Sequence, residues 1–315
     1  MGAGHPPVHR GGAVVRAVVL SRFGGPEELR VGEVDRPEPG PGQVLLRVRA
    51  AGVNPFDAKV RSGAMEAAFT TPLPAVLGSE VAGVVEEVGP GVTGTSVGDE
   101  VFGWADSGSY AERAVATTVA RKPGGLPWER AAALPVAVET TDRVFGLLGV
   151  RPGETLLVHG AAGGVGSIAV QLGVRAGLRV IGTAGPGNQE HVAALGATPT
   201  TYGEGLVDRV RALAPDGVDA VFDVAGKGAL PASIELRGGT DRIVTIADDA
   251  AAELGVVFTG GPPQRSPERL AEVADLAAKG ELVITVAGTF PLVDAAEAHR
   301  ALAGGHGPGK LVLVV

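Results

Sequence analysis

Apolar positions fall into two regimes along the chain. From about Val136 onward, short apolar runs alternate with stretches of helical period. The runs at 155–159, 178–183, 198–202, 218–224, 241–247 and 255–259 predict strands. The stretches between them, 167–176, 188–195, 205–214, 227–236 and 266–279, predict helices. The last opens with a capping Ser266, Pro267 at the first helical position and Glu268 at the positive end of the dipole. Strands alternating with helices predict an α/β fold with a doubly wound parallel sheet. Before Val136 the runs are shorter and no long helical period separates them. Ala13–Leu20, Val44–Arg49, Glu80–Val88, Asp99–Trp104 and Tyr110–Val119 read as strands. Turn signals such as Gly24-Gly25-Pro26 and Gly89-Pro90-Gly91 divide them, which predicts a small β-rich barrel or sandwich. Asn54–Arg61 reads as one short helix within it, WERAAAL (128–134) is helix-like, and 281–315 reads as strand, helix, strand.

One strand–turn–helix unit carries a chemical signal. Thr155 to His159 is a buried strand by pattern, glycines follow at 160, 163, 164 and 166, and Ser167 to Ala176 is helical. A pyrophosphate can sit on the backbone N–H groups of a helix N-terminus only where no Cβ holds it off. The next strand, Leu178 to Thr183, arrives at the spacing of a βαβ unit, so a nucleotide site is expected here. A plain structural turn is the alternative, because glycine is abundant (50 of 315 residues).

Composition narrows the classes. A length of 315 residues allows two domains, and 45% hydrophobic content supplies their cores. A net charge of −8 argues against a nucleic-acid partner, and no apolar run is long enough to span a membrane. Residues 1–12 have no apolar core of a signal peptide and are expected to be a disordered tail. The chain has no cysteine, which removes disulfides, thiolate nucleophiles and Cys-ligated zinc. A cytoplasmic location is the default expectation.

A series of motifs then runs along almost the whole chain: AGVNPFDAKVRSG (51–63), LGSEVAGVVEEVGPGV (77–92), VGDEVFG (97–103), GSYAE (108–112), AAALPVAVETT (131–141), VRPGETLLVHGAAGGVGSIAVQLG (150–173), GVDAVFDVAG (217–226), AAEAHRAL (295–302) and GKLVLVV (309–315). In these the chain resembles the zinc-independent medium-chain dehydrogenase/reductase superfamily, its quinone oxidoreductase or enoyl-reductase-like branch. The resemblance implies a GroES-like catalytic domain from 13–135 and 281–315 and a Rossmann NADP-binding domain from 136–280. It further implies an active-site cleft at their junction, NADPH as hydride donor, a quinone or activated C=C as small-molecule acceptor, and a homodimer formed through the Rossmann edge.

The same resemblance points to residues. Where a zinc relative carries Gly-His-Glu, this chain has Gly78-Ser79-Glu80, and the histidines (5, 9, 159, 191, 299, 306) show no ligand spacing, so no metal site is expected. Reduction of a conjugated carbonyl remains feasible without a metal, because charge developing on the oxygen needs only hydrogen-bond donors. Asn54 of the NP motif is expected to orient substrate oxygen or nicotinamide ribose, with an ordinary Asx turn as the alternative. Thr140 is expected near the nicotinamide, just before a helix, although its flanks Glu139, Asp142 and Arg143 depart from the apolar or small residues expected there. Asp57 and Lys59 read as a local surface pair, Tyr110 as packing, and His159 as a strand-end residue. No residue stands out as proton donor, which leaves water.

For the cofactor, Gly163, Gly164, Val165 and Gly166 are expected at the pyrophosphate. Strand 178–183 ends in Gly182-Thr183-Ala184-Gly185 with no acid before Glu190, so a 2′-phosphate is not repelled and NADP is favoured over NAD. Tyr202 and Asn188 are expected beside that phosphate, Thr183, Val224, Ile246 and Phe258 along the cofactor edge, and Lys310 near the cofactor or else on the surface. No Arg or Lys occurs between Arg179 and Arg209. Two rival readings stand: a dedicated biosynthetic enoyl or ketone reductase acting on one natural-product intermediate, and an NADPH-binding sensor or scaffold without turnover.

Overall fold

The computed structural model describes residues 12–261 and 263–315. Most of the expected tail, with His5 and His9, lies outside them. The chain forms two compact units, one of residues up to Pro135 with Ser266–Glu281 and Val286–Val315, the other of Val136–Arg265 with Leu282–Thr285.

The first unit is built from β1 (Val14–Leu20), β2 (Leu29–Asp35), β3 (Val44–Val53), α1 (Pro55–Ser62), β4 (Ala75–Val76), β5 (Glu80–Val88), β6 (Glu100–Trp104), β7 (Arg113–Ala116), β8 (Thr118–Arg121) and α2 (Trp128–Ala132). The second unit follows with α3 (Pro135–Leu148), β9 (Thr155–His159), α4 (Gly164–Arg175), β10 (Arg179–Thr183), α5 (Gln189–Ala194), β11 (Thr198–Thr200), α6 (Leu206–Leu213), β12 (Ala220–Asp223), α7 (Leu230–Arg237), β13 (Ile243–Thr245), α8 (Ala251–Leu254) and β14 (Val257–Phe258). The chain then returns to the first unit with α9 (Pro267–Ala278), β15 (Val286–Pro291), α10 (Ala295–Gly304) and β16 (Lys310–Val314).

In the second unit six parallel strands run in the order β11-β10-β9-β12-β13-β14. Side chains alternate across this sheet, so each strand feeds two cores. Leu156, Val158, Val180, Phe222 and Val244 pack with α3 and α4 residues such as Val144 and Val170 on one face. Leu157, Ile181, Val221 and Ile243 pack with Leu206, Val210 and Leu230 on the other. Strand order reverses at β9, which pairs with both β10 and β12, and ligands bind such sheets at that switch point.

In the first unit β15-β16-β3-β5-β6-β8 form one sheet, with β7 also on β3, and β2-β1-β4 form a second. The C-terminal strand β16 pairs antiparallel with β3, so the tail completes the sheet begun near the N-terminus.

Three of the expected elements take a different form, and β2, β4 and α8 form where no element was expected. The run 110–119 is two strands that break at Thr117, whose Oγ1 donates to Asp106 Oδ2 at 2.6 Å; β7 then pairs with β3 and β8 with β6. Helix α4 starts at Gly164 rather than Ser167, because the glycines enter the first helical turn. Thr140 lies inside α3 rather than before a helix. The β-branched residues Val136, Val138, Thr140 and Thr141 cost only tenths of a kcal/mol each in helix propensity, and burial of Ala137, Val138, Val144 and Leu148 outweighs it.

Candidate active site

The second unit holds a cavity of about 730 Å³ at the C-terminal ends of β9, β10 and β12. Its lining includes Gly160, Gly163, Thr183, Asn188 and Tyr202. Sequence-predicted cofactor residues from three separate segments thus share one wall.

The glycine turn owes its shape to two different demands. Gly160 has φ +75°, a left-handed backbone that favours glycine. Gly163 is the N-cap, and its N–H is already spent on the Gly160 carbonyl at 3.0 Å. It therefore serves by lacking a Cβ, not by donating. The N–H groups of Gly164, Val165 and Gly166 open the helix, where no carbonyl lies one turn earlier to receive them. These and the positive end of the α4 dipole suit an anion. A Cβ on Gly166 would fall 2.1 Å from the Gly160 carbonyl oxygen, so this glycine is required by the turn itself.

Below the turn, His159 is buried and bridges Thr183 Oγ1 (3.1 Å, Nδ1) and Ser233 Oγ (3.0 Å, Nε2). Thr183 is thus held by the imidazole, a tie between β9 and β10 that strand-end reading did not reveal. Val224 and Ile246 are half-buried strand-end residues packed on the core, and the Val224 N–H reaches the His159 carbonyl at 3.1 Å. Tyr202 is 63% exposed and Phe258 47% exposed, the latter on the edge strand β14.

Thr140 is buried on α3, where its hydroxyl donates to Glu139 Oε2 at 3.3 Å. Glu139 Oε1 also accepts from Arg143 Nε at 2.8 Å and from the Gln264 N–H at 3.0 Å, while Arg143 Nη1 donates to Thr259 Oγ1 at 2.6 Å. The unusual flanks of Thr140 therefore tie the segment after β14 to α3. The Thr140 oxygen keeps its lone pairs available to accept hydrogen bonds.

In the first unit, register assembles a second cluster. Leu311 pairs with Val53 and Gly52 with Glu80, which brings Lys310, Asn54 and Glu80 together from three strand ends. Lys310 Nζ contacts Glu80 at 2.6 Å and donates to Asn54 Oδ1, and Asn54 Nδ2 donates to Glu80 Oε2 at 2.8 Å. Ammonium on one side and carboxylate on the other set the orientation of the amide, leaving one Nδ2 hydrogen. Gly52 makes room, since a Cβ there would lie 2.3 Å from Glu80 Oε2. Lys310 is buried, which corrects the surface alternative.

Asp57 is also buried, not part of a surface pair with Lys59: its carboxylate accepts from the Asn54 N–H at 2.8 Å and from the Tyr110 hydroxyl at 3.2 Å. Tyr110 packs, as read, but its hydroxyl also meets His299 Nε2 at 3.2 Å, and His299 Nδ1 meets Arg61 at 3.2 Å. Sequence spacing carried no signal for this chain of contacts.

Burial pushes Asp57 up to about 6, against the pull of the Asn54 N–H and the Lys310 charge. Burial, aided by the Arg61 charge, drives His299 down to about 4, and burial lowers His159 likewise. The linkage signs oppose one another. Unfolded Asp57 ionises above its ordinary 3.8 while the folded group keeps its proton to about 6, so its contribution is lost as pH rises through that window. The two histidines stay neutral in the folded chain while the unfolded imidazoles protonate below 6.5, so their contribution is lost as pH falls from 6.5 towards 4. Two groups outweigh one. Stability is expected to fall on acidification across this window, by about 1.4 kcal/mol per pH unit for each net proton taken up. Thermal unfolding at a series of pH values checks this: His299→Gln is expected to flatten the fall, and a midpoint that rises on acidification contradicts it.

Sheet order, glycine turn and the separate β unit define a two-unit nucleotide-fold protein. Comparisons agree. Residues 40–127 match the alcohol dehydrogenase GroES-like domain and 195–313 the zinc-binding dehydrogenase family. The mouse (Mus musculus) quinone oxidoreductase is 31% identical over 330 residues, 97% of this chain and 99% of the relative. The quinone oxidoreductase of Coxiella burnetii superposes with a TM-score of 0.86 at 32% identity, over 96% of this chain and 100% of that one. The mycobacterial Rv1454c complexed with NADPH gives 0.83 at 32% identity over 95% and 100%. A segment of the pikromycin polyketide synthase component PikAII of Streptomyces venezuelae is 36% identical over 302 residues, 89% of this chain and 8% of that protein. The chain belongs to the medium-chain dehydrogenase/reductase superfamily, in its quinone oxidoreductase branch, and is an oxidoreductase of a family that binds nicotinamide cofactors.

The zinc named in one of these family descriptions finds no donor set among the described residues. The chain has no cysteine, no group of three or more His, Asp or Glu is placed for a metal among the described residues, and Glu80 is engaged by Lys310 and Asn54. Among the described residues no helix is long and apolar enough to cross a membrane.

Proposed function

We propose that this protein is a metal-free, NADPH-dependent reductase of quinones or α,β-unsaturated carbonyls, acting on a small molecule in the cytoplasm as a homodimer. The observation that carries the reading is the cavity at the switch point, where β9 lies between β10 and β12. Its β10 end, Gly182 to Gly185, offers no carboxylate to repel a 2′-phosphate, while Asn188 and Tyr202 stand beside it. A nicotinamide bound there supplies a hydride. The N-terminus of α4 holds the pyrophosphate. The Thr140 hydroxyl, held beside Glu139, orients the nicotinamide or the substrate oxygen. Asn54 donates its remaining amide hydrogen to the substrate oxygen, where charge develops, and the Lys310–Glu80 pair keeps that amide from turning. Water delivers the final proton.

NADPH oxidation followed with 1,4-benzoquinone, 9,10-phenanthrenequinone and a linear enone, with NADH and EDTA controls, tests this. Turnover with NADPH that EDTA leaves unchanged is expected. A second reading, a reductase dedicated to one biosynthetic intermediate, draws support from the likeness to the polyketide synthase segment and from the Glu139–Arg143 flanks. NADPH binding without turnover of any simple acceptor would favour it. For the dimer, the exposed Val257 and Phe258 of edge strand β14 suit pairing with a second copy. Val257→Lys is expected to yield monomers by light scattering, and a wild-type monomer would overturn the assembly.

A further inference from the structure

The nucleotide cavity has a charge balance of its own. Of the side chains that line it, only Lys227 carries a formal charge at neutral pH; His159 stays uncharged. The nearby acid is turned inward: Asp223 accepts from the Ala225 and Gly226 N–H groups at 3.0 and 3.2 Å and from Thr245 Oγ1 at 2.8 Å. The turn that presents Lys227 is tightly specified. Gly226 has φ +57°, and a Cβ on it would fall 2.4 Å from the Ala247 carbonyl oxygen. Lys227 itself is exposed, and its ammonium makes no hydrogen bond or ion pair with any described residue.

The neighbouring cation, Arg209, does not line the cavity and is directed to backbone carbonyls. Arg209 donates to the carbonyls of Glu204 at 2.8 Å, Thr201 at 2.9 Å and Tyr202 at 3.5 Å, and so braces the end of β11. The segment 184–191, which follows β10, contributes no Lys or Arg. An anion seated between Asn188 and Tyr202 therefore meets polar groups that carry no charge, with one free ammonium lining the same cavity.

We propose that Lys227 is the cofactor-selecting residue, pairing its ammonium with the 2′-phosphate of NADPH. The charge that the β10 loop lacks comes instead from the loop after β12, across the cavity. Asn188 and the Tyr202 hydroxyl complete the phosphate's hydrogen bonds. This rests on the NADPH reading above.

Dissociation constants for NADPH, NADH, 2′,5′-ADP and 5′-AMP, measured on the full chain and on Lys227→Gln and Lys227→Arg, test it. The exposed position makes unchanged unfolding midpoints the expected control. Lys227→Gln is expected to weaken NADPH and 2′,5′-ADP by about tenfold, the scale of one charge-assisted contact, and to leave NADH and 5′-AMP within about twofold. Lys227→Arg should retain most of the preference, and added salt should weaken NADPH less in Lys227→Gln than in the wild type. Equal losses for NADPH and NADH would place the ammonium at the pyrophosphate and overturn the proposal, as would no loss at all. A wild-type chain that prefers NADH would overturn the NADPH reading itself; a wild type that prefers NADPH with an indifferent Lys227→Gln sinks only the inference.

Discussion

Lys310→Met is expected to destabilise the first unit by about 3–5 kcal/mol, the cost of removing one partner from a buried ion pair. Glu80 is 0% exposed and would lose its counter-charge, while Asn54 Oδ1 would lose its donor. The Asn54 amide would then be free to turn, so activity should fall further than stability alone explains. Lys310→Met combined with Glu80→Gln removes both charges and is expected to restore most of the stability but not the activity. Thermal unfolding beside NADPH turnover reads both. A single variant as stable as the wild type would mean that solvent reaches the pair, and that its role in holding Asn54 is wrong.

Gly166→Ala carries the second large effect. Its methyl would meet backbone atoms, the Gly160 oxygen at 2.1 Å and the Ala161 Cα at 2.9 Å, and backbone cannot rotate away. Overpacking of this kind costs about 1–3 kcal/mol, with the backbone contacts placing it at the upper end. Relief requires the turn to open, which displaces the first N–H groups of α4 from the anion. A shift of about 1 Å in positioning groups can cost about a hundredfold. Gly163→Ala is the matched comparison, for there the nearest atom lies 3.5 Å from the added Cβ. That variant should keep its unfolding midpoint and lose affinity only through crowding of the ligand. If nucleotide affinity survives Gly166→Ala, the turn does not form the anion site.

Several parts of this molecule were legible from local pattern. The parallel strands, the glycine turn and the Ser266 cap are encoded within windows of a few residues, and Ser266 Oγ does accept from the Arg269 N–H at 3.1 Å. Strand β2 was not legible: most of its seven residues are exposed or half-buried, so no apolar alternation marks it. The reach of α3 through Thr140 was hidden because its β-branched residues speak against a helix, and only burial decides for one. The role of Glu139 and Arg143 was visible merely as a departure from expected side chains; their partners Thr259 and Gln264 lie more than a hundred positions away.

The sequence by itself determined that a doubly wound sheet with a glycine turn would form, because side-chain period and glycine placement are local properties. It also determined that no acid stands at the end of β10. Only the tertiary structure decided that Lys310, 256 positions from Asn54, is a buried partner and not a surface charge. Only it decided that Lys227 lines the same cavity as Tyr202. Strand register and the order of strands in a sheet bring such groups together, and both are set by pairing between distant segments, which no window of local pattern contains.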